Sequence, residues 1–202
     1  MKTEILVAFM ILLIVGQPVA QFLLKKRYQN KIYACFKYRD YEGLENILNN
    51  KTVKFTFTPF NIEYCRLNGA IMRDDRKAVN KQFDVLLDMK LNEHQKQDVC
   101  LNGFNYYLSV NDQKRTDKFY KLSKSLKNEE IKKNIDISYN ILFEKGYTYL
   151  DDILQLYENC TEEEKYINEY LLSIMYKNKG DYERSKHFEE LAKAHEREFA
   201  EK

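Results

Sequence analysis

The chain returns to the same kind of turn about every 35 residues. Gly146 and Gly180 stand 34 apart, and Arg39-Asp40-Tyr41-Glu42 is echoed by Gly180-Asp181-Tyr182-Glu183. Residues of helix-capping type, Thr58, Asn92, Asn128 and Thr161, are spaced 34, 36 and 33. This is the length of a pair of helices that cannot bury its apolar face alone and stacks on the next pair. The period predicts an all-α chain, an α-solenoid of antiparallel helical hairpins. Only two Pro and six Gly occur in 202 residues, too few turn residues for an all-β alternative.

The apolar pattern supports the same division. After Thr58-Pro59, a capping hydroxyl before Pro at the first helical position, Phe60, Tyr64, Leu67 and Ile71 form one stripe. Val99, Gly103, Tyr106 and Val110 form a second, and Ile131, Ile135, Ser138 and Leu142 a third. The fourth is less regular: Ile167, Leu171 and Ile174, with a shifted pair at Leu172 and Tyr176. Each stripe is followed by a break, at Asp74-Asp75, Asn111-Asp112, Gly146 and Gly180-Asp181, and by a second amphipathic stretch. The last of these carries Tyr182, Phe188, Leu191, Ala192 and His195. Short links make each pair antiparallel. Residues 28–49 read as an extra half-unit. Val53, Phe55 and Phe57 alternate with polar residues, so Lys51–Thr58 reads as an extended linker.

Leu172-Ser173, Tyr176, Gly180-Asp181-Tyr182-Glu183 and Ala192 follow one another in an order that resembles the tetratricopeptide repeat. Asn102-Gly103 with Tyr106, and later Phe119, is a second partial match. Residues 58–202 resemble four such units, with residues 28–49 a degenerate fifth. Ser185 stands where the family pattern has Ala, and its closing prolines are missing. The resemblance implies a concave face, lined by the first helices of successive hairpins, that takes a peptide or a partner helix. By resemblance that face includes Phe104, Tyr107, Lys133, Asn140, Tyr170 and Lys177. The Lys/Asn set that clamps a C-terminal carboxylate in family members does not appear at matching positions, so a mixed aromatic and polar groove is implied instead.

Residues 1–24 read as a membrane anchor. Ile5 to Val15 is an unbroken apolar run, resumed after Gly16-Gln17-Pro18 and stopped by Lys25-Lys26-Arg27. The stretch 5–24 has about the length needed to cross a bilayer. A cleaved signal peptide is the competing reading. Against it stand Pro18 near a cut after Ala20 and the basic cluster just beyond. That cluster places residues 25–202 on the cytoplasmic side, with Lys25, Lys26 and Arg27 at anionic lipid headgroups. Residues 1–54 hold nine Lys/Arg against four Asp/Glu, while the remainder is slightly acidic. A basic excess beside an apolar terminus points to a membrane surface, and no helix carries the basic stripe of a nucleic-acid reader. The domains expected are the anchor (1–24), a basic juxtamembrane half-unit and linker (25–57) and four hairpins (58–202).

No catalytic or cofactor-binding pattern emerges. Cys35, Cys65, Cys100 and Cys160 are too scattered for a metal or redox motif and read as small core residues. His94, His187 and His195 have no carboxylate pattern of a metal site around them and read as surface residues of helices. Glu162-Glu163-Glu164 reads as favourable charge at a helix N-terminus. Tyr106-Tyr107 with Phe104 resembles a platform for stacking bases, but aromatics at helical spacing belong more often to a core. Asn50-Lys51-Thr52 and Asn159-Cys160-Thr161 match the glycosylation pattern, which matters only in a secretory lumen. The expectation is a membrane-tethered, non-catalytic adaptor that binds protein or peptide and needs no metal or cofactor. The alternative is an exported or outward-facing repeat protein that assists secretion or envelope assembly.

Overall fold

The computed structural model describes the backbone of residues 2–200, with side chains described for residues 18–162 and 164–197. Among the described residues all regular structure is helical. The chain divides into two compact units, residues 1–95 and 96–202.

The first unit holds α1 (Lys2–Tyr38), α2 (Tyr41–Asn49), α3 (Lys51–Thr56), α4 (Pro59–Met72) and α5 (Arg76–Leu87). α1, α2 and α3 pack on one another, and α4 packs on α5. Ile32 and Cys35 of α1, Leu44 and Leu48 of α2, Val53, Phe57 and Ile62 share one core. Leu67 and Ala70 of α4 and Val79, Phe83 and Leu86 of α5 are buried as well. The expected extended linker is thus mostly helix. Asn50 caps it, its side-chain oxygen accepting the Thr52 N–H at 2.8 Å. Val53 and Phe57, four residues apart, point inward, while Phe55 between them is 76% exposed. Two of three alternating aromatics and aliphatics therefore obey the helical period, and the third faces out.

The second unit comprises most of α6 (Glu93–Ser109), then α7 (Gln113–Ser123), α8 (Glu129–Leu142), α9 (Leu150–Asn159), α10 (Glu162–Lys179) and α11 (Tyr182–Ala200). α10 packs on α8, α9 and α11, and α7 on α8. Ile137 and Ile141 of α8, Leu150 and Ile153 of α9, Leu172, Met175 and Tyr176 of α10 and Phe188 of α11 form its core. On α10 the shifted pair Leu172 and Tyr176 is therefore the inward stripe, and Ile167 is 57% exposed. On α6 the buried set is Val99, Cys100, Gly103, Phe104 and Tyr107. Gly103 lies under the Phe119 ring of α7, where a Cβ would collide with ring carbons. A side chain there would force the two helices apart.

One turn geometry recurs through both units. Arg39, Asp74, Asn111, Lys145 and Gly180 take left-handed backbone angles, with φ between 52° and 85°, at intervals of 35, 37, 34 and 35. In four of the five turns the next residue is Asp, and its N–H bonds the carbonyl five residues back: Asp40 to Cys35, Asp75 to Ala70, Asp112 to Tyr107, Asp181 to Tyr176. This closes the first helix in Schellman fashion. The same Asp side chains then cap the following helix by accepting the N–H of Gly43, Ala78, Arg115 and Arg184. One short sequence ends a helix, reverses the chain and starts the next.

The turn at Lys145 departs from this pattern. Lys145, not Gly146, carries the positive φ, and the Gly146 N–H reaches back six residues to Asn140. Gly146 is small because the Asn140 side chain lies against it. No Asp is present to cap, and α9 begins only at Leu150 without a side-chain cap. Asn178 of α10 compensates: its amide donates to the carbonyls of Ile141 at 2.9 Å and Gly146 at 3.1 Å.

The first helices begin as their capping residues predict. Thr58 accepts the Asn61 N–H, Asn92 and Gln95 bond reciprocally, and Asn128 accepts the Ile131 N–H. The Thr161 N–H donates to Glu164 at 2.9 Å.

Among the described residues no helix is long and apolar enough to cross a membrane. The side chains of the apolar run from Ile5 to Gln17 lie outside the described residues. α1 itself is continuous from Lys2 to Tyr38 and includes Pro18.

Candidate functional site

Two adjoining grooves mark the surface of the second unit. The first, about 550 Å³, is lined by Asn105, Leu108 and Ser109 of α6, Asn111 of the turn, Leu142 and Phe143 at the end of α8, and Tyr170 of α10. Its walls thus come from three helices, α6, α8 and α10. The second, about 410 Å³, runs between α10 and α11; Tyr166, Tyr170, Lys177, Glu189, Lys193 and Glu196 are among its lining residues. Tyr170 belongs to both and is 50% exposed.

The first groove has a fixed wall. Tyr139 and Phe143 of α8 lie with ring centroids 5.3 Å apart, and Tyr139 stacks on Tyr120 of α7 at 3.8 Å. The Tyr139 hydroxyl donates to Asp117 at 2.7 Å. That bond, more than burial, pushes the Tyr139 hydroxyl up to about 12. All seven lining residues are uncharged, so the groove pairs aliphatic and aromatic surface with amides and two hydroxyls. The second groove is charged, and Lys193 already pairs with Glu189 at 2.5 Å.

The six residues expected to line the binding face separate into three sets. Phe104 and Tyr107 are core residues, 1% and 0% exposed, and do not line a surface. Tyr107 stacks on Phe119 at 5.6 Å and accepts a hydrogen bond from Arg115. The surface positions on α6 are their next neighbours, Asn105 and Leu108, so the inward stripe is rotated by one residue. Lys133 and Asn140 are engaged elsewhere: Lys133 lies 3.6 Å from Asp152, and Asn140 donates to Glu144 at 2.9 Å. Tyr170 and Lys177 do line grooves. Lys25, Lys26 and Arg27 are exposed on α1.

His195 is not the plain surface histidine its sequence context implies. Its Nδ1 lies 2.7 Å from Oε2 of Glu169, a side chain with no exposed surface. Tyr157 of α9 donates to the other carboxylate oxygen at 3.0 Å. Burial, and then this bond, pushes the Tyr157 hydroxyl up to about 12. The cluster joins α9, α10 and α11. Solvent reaches only the outer part of His195, so the carboxylate serves packing rather than a ligand. The signal was present in the spacing: Glu169, Leu172 and Tyr176 share one helical face, as do Phe188, Ala192 and His195.

Each cysteine is a free thiol. Burial pushes Cys100 up to about 12 and raises Cys35 and Cys65. Glu162, bonded to Lys165, and Glu164, accepting the Thr161 N–H, are held below the usual carboxylate range. Asn159, in the second glycosylation pattern, donates to the Gln155 carbonyl at 2.8 Å. Among the described residues no cluster of His, Cys, Asp and Glu is arranged to hold a metal ion.

Among the described residues these features define an all-helical protein whose second unit carries an open, uncharged groove. In comparisons with known proteins, no family model, no curated protein and no solved structure matches the chain.

Proposed function

We propose that this chain is a membrane-tethered, non-catalytic adaptor. Its second unit is a short stack of tetratricopeptide-like hairpins that captures an apolar segment of a partner protein. The observation that carries this reading is the groove walled by α6, α8 and α10, with Leu108, Phe143 and Tyr170 for apolar side chains and Asn105 and Asn111 for backbone groups. The recurrent Asp-capped turn supports the repeat character. An extended or helical segment laid in such a groove is held by burying a few anchor side chains. The apolar run before Lys25-Lys26-Arg27 supplies the tether and leaves the hairpins on the cytoplasmic side. Confinement to a surface raises the effective concentration for partners there.

A photo-crosslinking residue placed at Leu108 or Tyr170, in membranes containing the full chain, tests the reading. One partner is expected at both positions and none at Tyr182, which is 71% exposed and does not line the groove. Tyr170→Ala should abolish the Leu108 crosslink without lowering Tm. Crosslinks that ignore Tyr170→Ala, or that occur equally at Tyr182, would defeat it.

A further inference from the structure

We infer that α3 is a second membrane contact, which lays the first unit against the headgroups of an anionic bilayer. The inference rests on the tether proposed above. α1 is one continuous helix that runs from the apolar stretch into the core of the first unit, with Tyr28 packed on that core. Tyr28 lies four residues beyond Leu24, about 6 Å along a helix. That is inside the distance of about 8 Å over which physiological salt screens a charged surface. The core of the first unit therefore begins where the headgroups end.

The fold decides which part of it comes down to that level. α2 follows α1 through a tight turn at Arg39-Asp40 and packs against it, so the chain runs back toward the tether. Nine residues of α2 return about 13 Å along the axis. Its last residue, Asn49, is then abreast of residues near Tyr28. α3 starts at Lys51, packs on both α1 and α2, and buries Val53 in the core that Tyr28 touches. What α3 leaves exposed is Phe55, 76% exposed, with Lys51 and Lys54 beside it.

The charge fits one surface. Lys25, Lys26, Arg27 and Lys31 occur between residues 18 and 32 with no acidic residue, and no acidic residue lies between 46 and 62. Basic side chains around an exposed aromatic are what an anionic lipid interface attracts: the ammonium groups meet phosphates and the ring enters the boundary layer.

The chain contains no Trp, so a single introduced Trp reports its own surroundings. Full-length Phe55→Trp, Phe22→Trp and Tyr38→Trp proteins would be reconstituted into vesicles of phosphatidylcholine and phosphatidylglycerol. Quenching would be read with lipids labelled near the headgroup. Phe55 and Tyr38 are 76% and 74% exposed, so both exchanges leave the core alone. Phe55→Trp is expected to emit at shorter wavelength than Tyr38→Trp and to be quenched where Tyr38→Trp is not. Adding Lys51→Glu and Lys54→Glu should remove that quenching. Quenching at Phe22→Trp but not at Phe55→Trp overturns the inference and leaves the tether standing. No quenching at Phe22→Trp overturns the tether and the inference with it. Quenching at Phe55→Trp that survives both charge reversals shows that the basic pair does not recognise lipid, and also overturns it.

Discussion

Glu169 and His195 meet at 2.7 Å across the α10–α11 contact, and the glutamate has no exposed surface. A buried carboxylate needs partners for its lone pairs, and His195 and Tyr157 are those partners here. Removing one of them leaves one oxygen of the buried carboxyl without its partner. His195→Ala is expected to destabilise by about 2 kcal/mol, with part of the effect discounted for the open side of the imidazole. Denaturant unfolding measures it. Amide exchange should rise first in α11, the helix that the pair pins. His195→Gln, which can still donate, should lose less.

The alkaline limb of stability follows from two tyrosines. Tyr139 and Tyr157 both ionise near 12 in the folded chain, against about 10 for a free tyrosine. A raised folded-state value means the contribution is complete below about pH 10 and is lost as pH rises from there through 12. Stability should therefore fall across that window. Tyr139→Phe and Tyr157→Phe should each be less stable at neutral pH and show a shallower fall above pH 10. A spectrophotometric tyrosine titration with parallel unfolding curves checks both statements.

The turns give a matched pair of backbone tests. Gly180 has φ 85° and nothing within 4 Å of where a Cβ would stand, so Gly180→Ala measures backbone strain alone. It should cost about 1 kcal/mol. Lys145 holds φ 52° with a side chain, so Lys145→Gly should be neutral or stabilising by up to about 1 kcal/mol. A loss at Gly180→Ala with no loss at Lys145→Gly, read from Tm, is the expected result.

Neighbouring residues on α6 should behave oppositely. Tyr107 is fully buried against Phe119, and Tyr107→Ala should cost about 3–5 kcal/mol. Leu108 lines the groove, and Leu108→Ala should cost about 1 kcal/mol or less while weakening partner capture. Thermal melts beside crosslinking yields separate the two.

Local chemistry was legible before any tertiary contact was known. Thr58, Asn92, Asn128 and Thr161 open helices, and four Asp residues cap the second helices, because capping depends on residues within three positions of each other. Stripe phase was less legible. On α6 and α10 apolar or aromatic residues occupy adjacent positions, as at Tyr106-Tyr107-Leu108 and Leu171-Leu172, so the period is clear while the inward direction is not. For that reason the family pattern assigns Phe104 and Tyr107 to the surface, one residue off from Asn105 and Leu108. The Lys51–Thr56 segment misled because three alternating hydrophobic residues satisfy a strand pattern, and only two of them needed burial.

By itself the sequence determined the helical hairpins, their period and the places where the chain reverses. Those depend on backbone hydrogen bonds between near neighbours, which capping residues and turn residues control locally. The tertiary structure alone decided which face of α6 and α10 turns inward, that Asn178 of α10 satisfies the carbonyls of the uncapped turn, and that Glu169, Tyr157 and His195 meet. Partners 12 to 37 residues apart are chosen by the packing of whole helices, and no local pattern encodes which of two nearly equivalent faces wins.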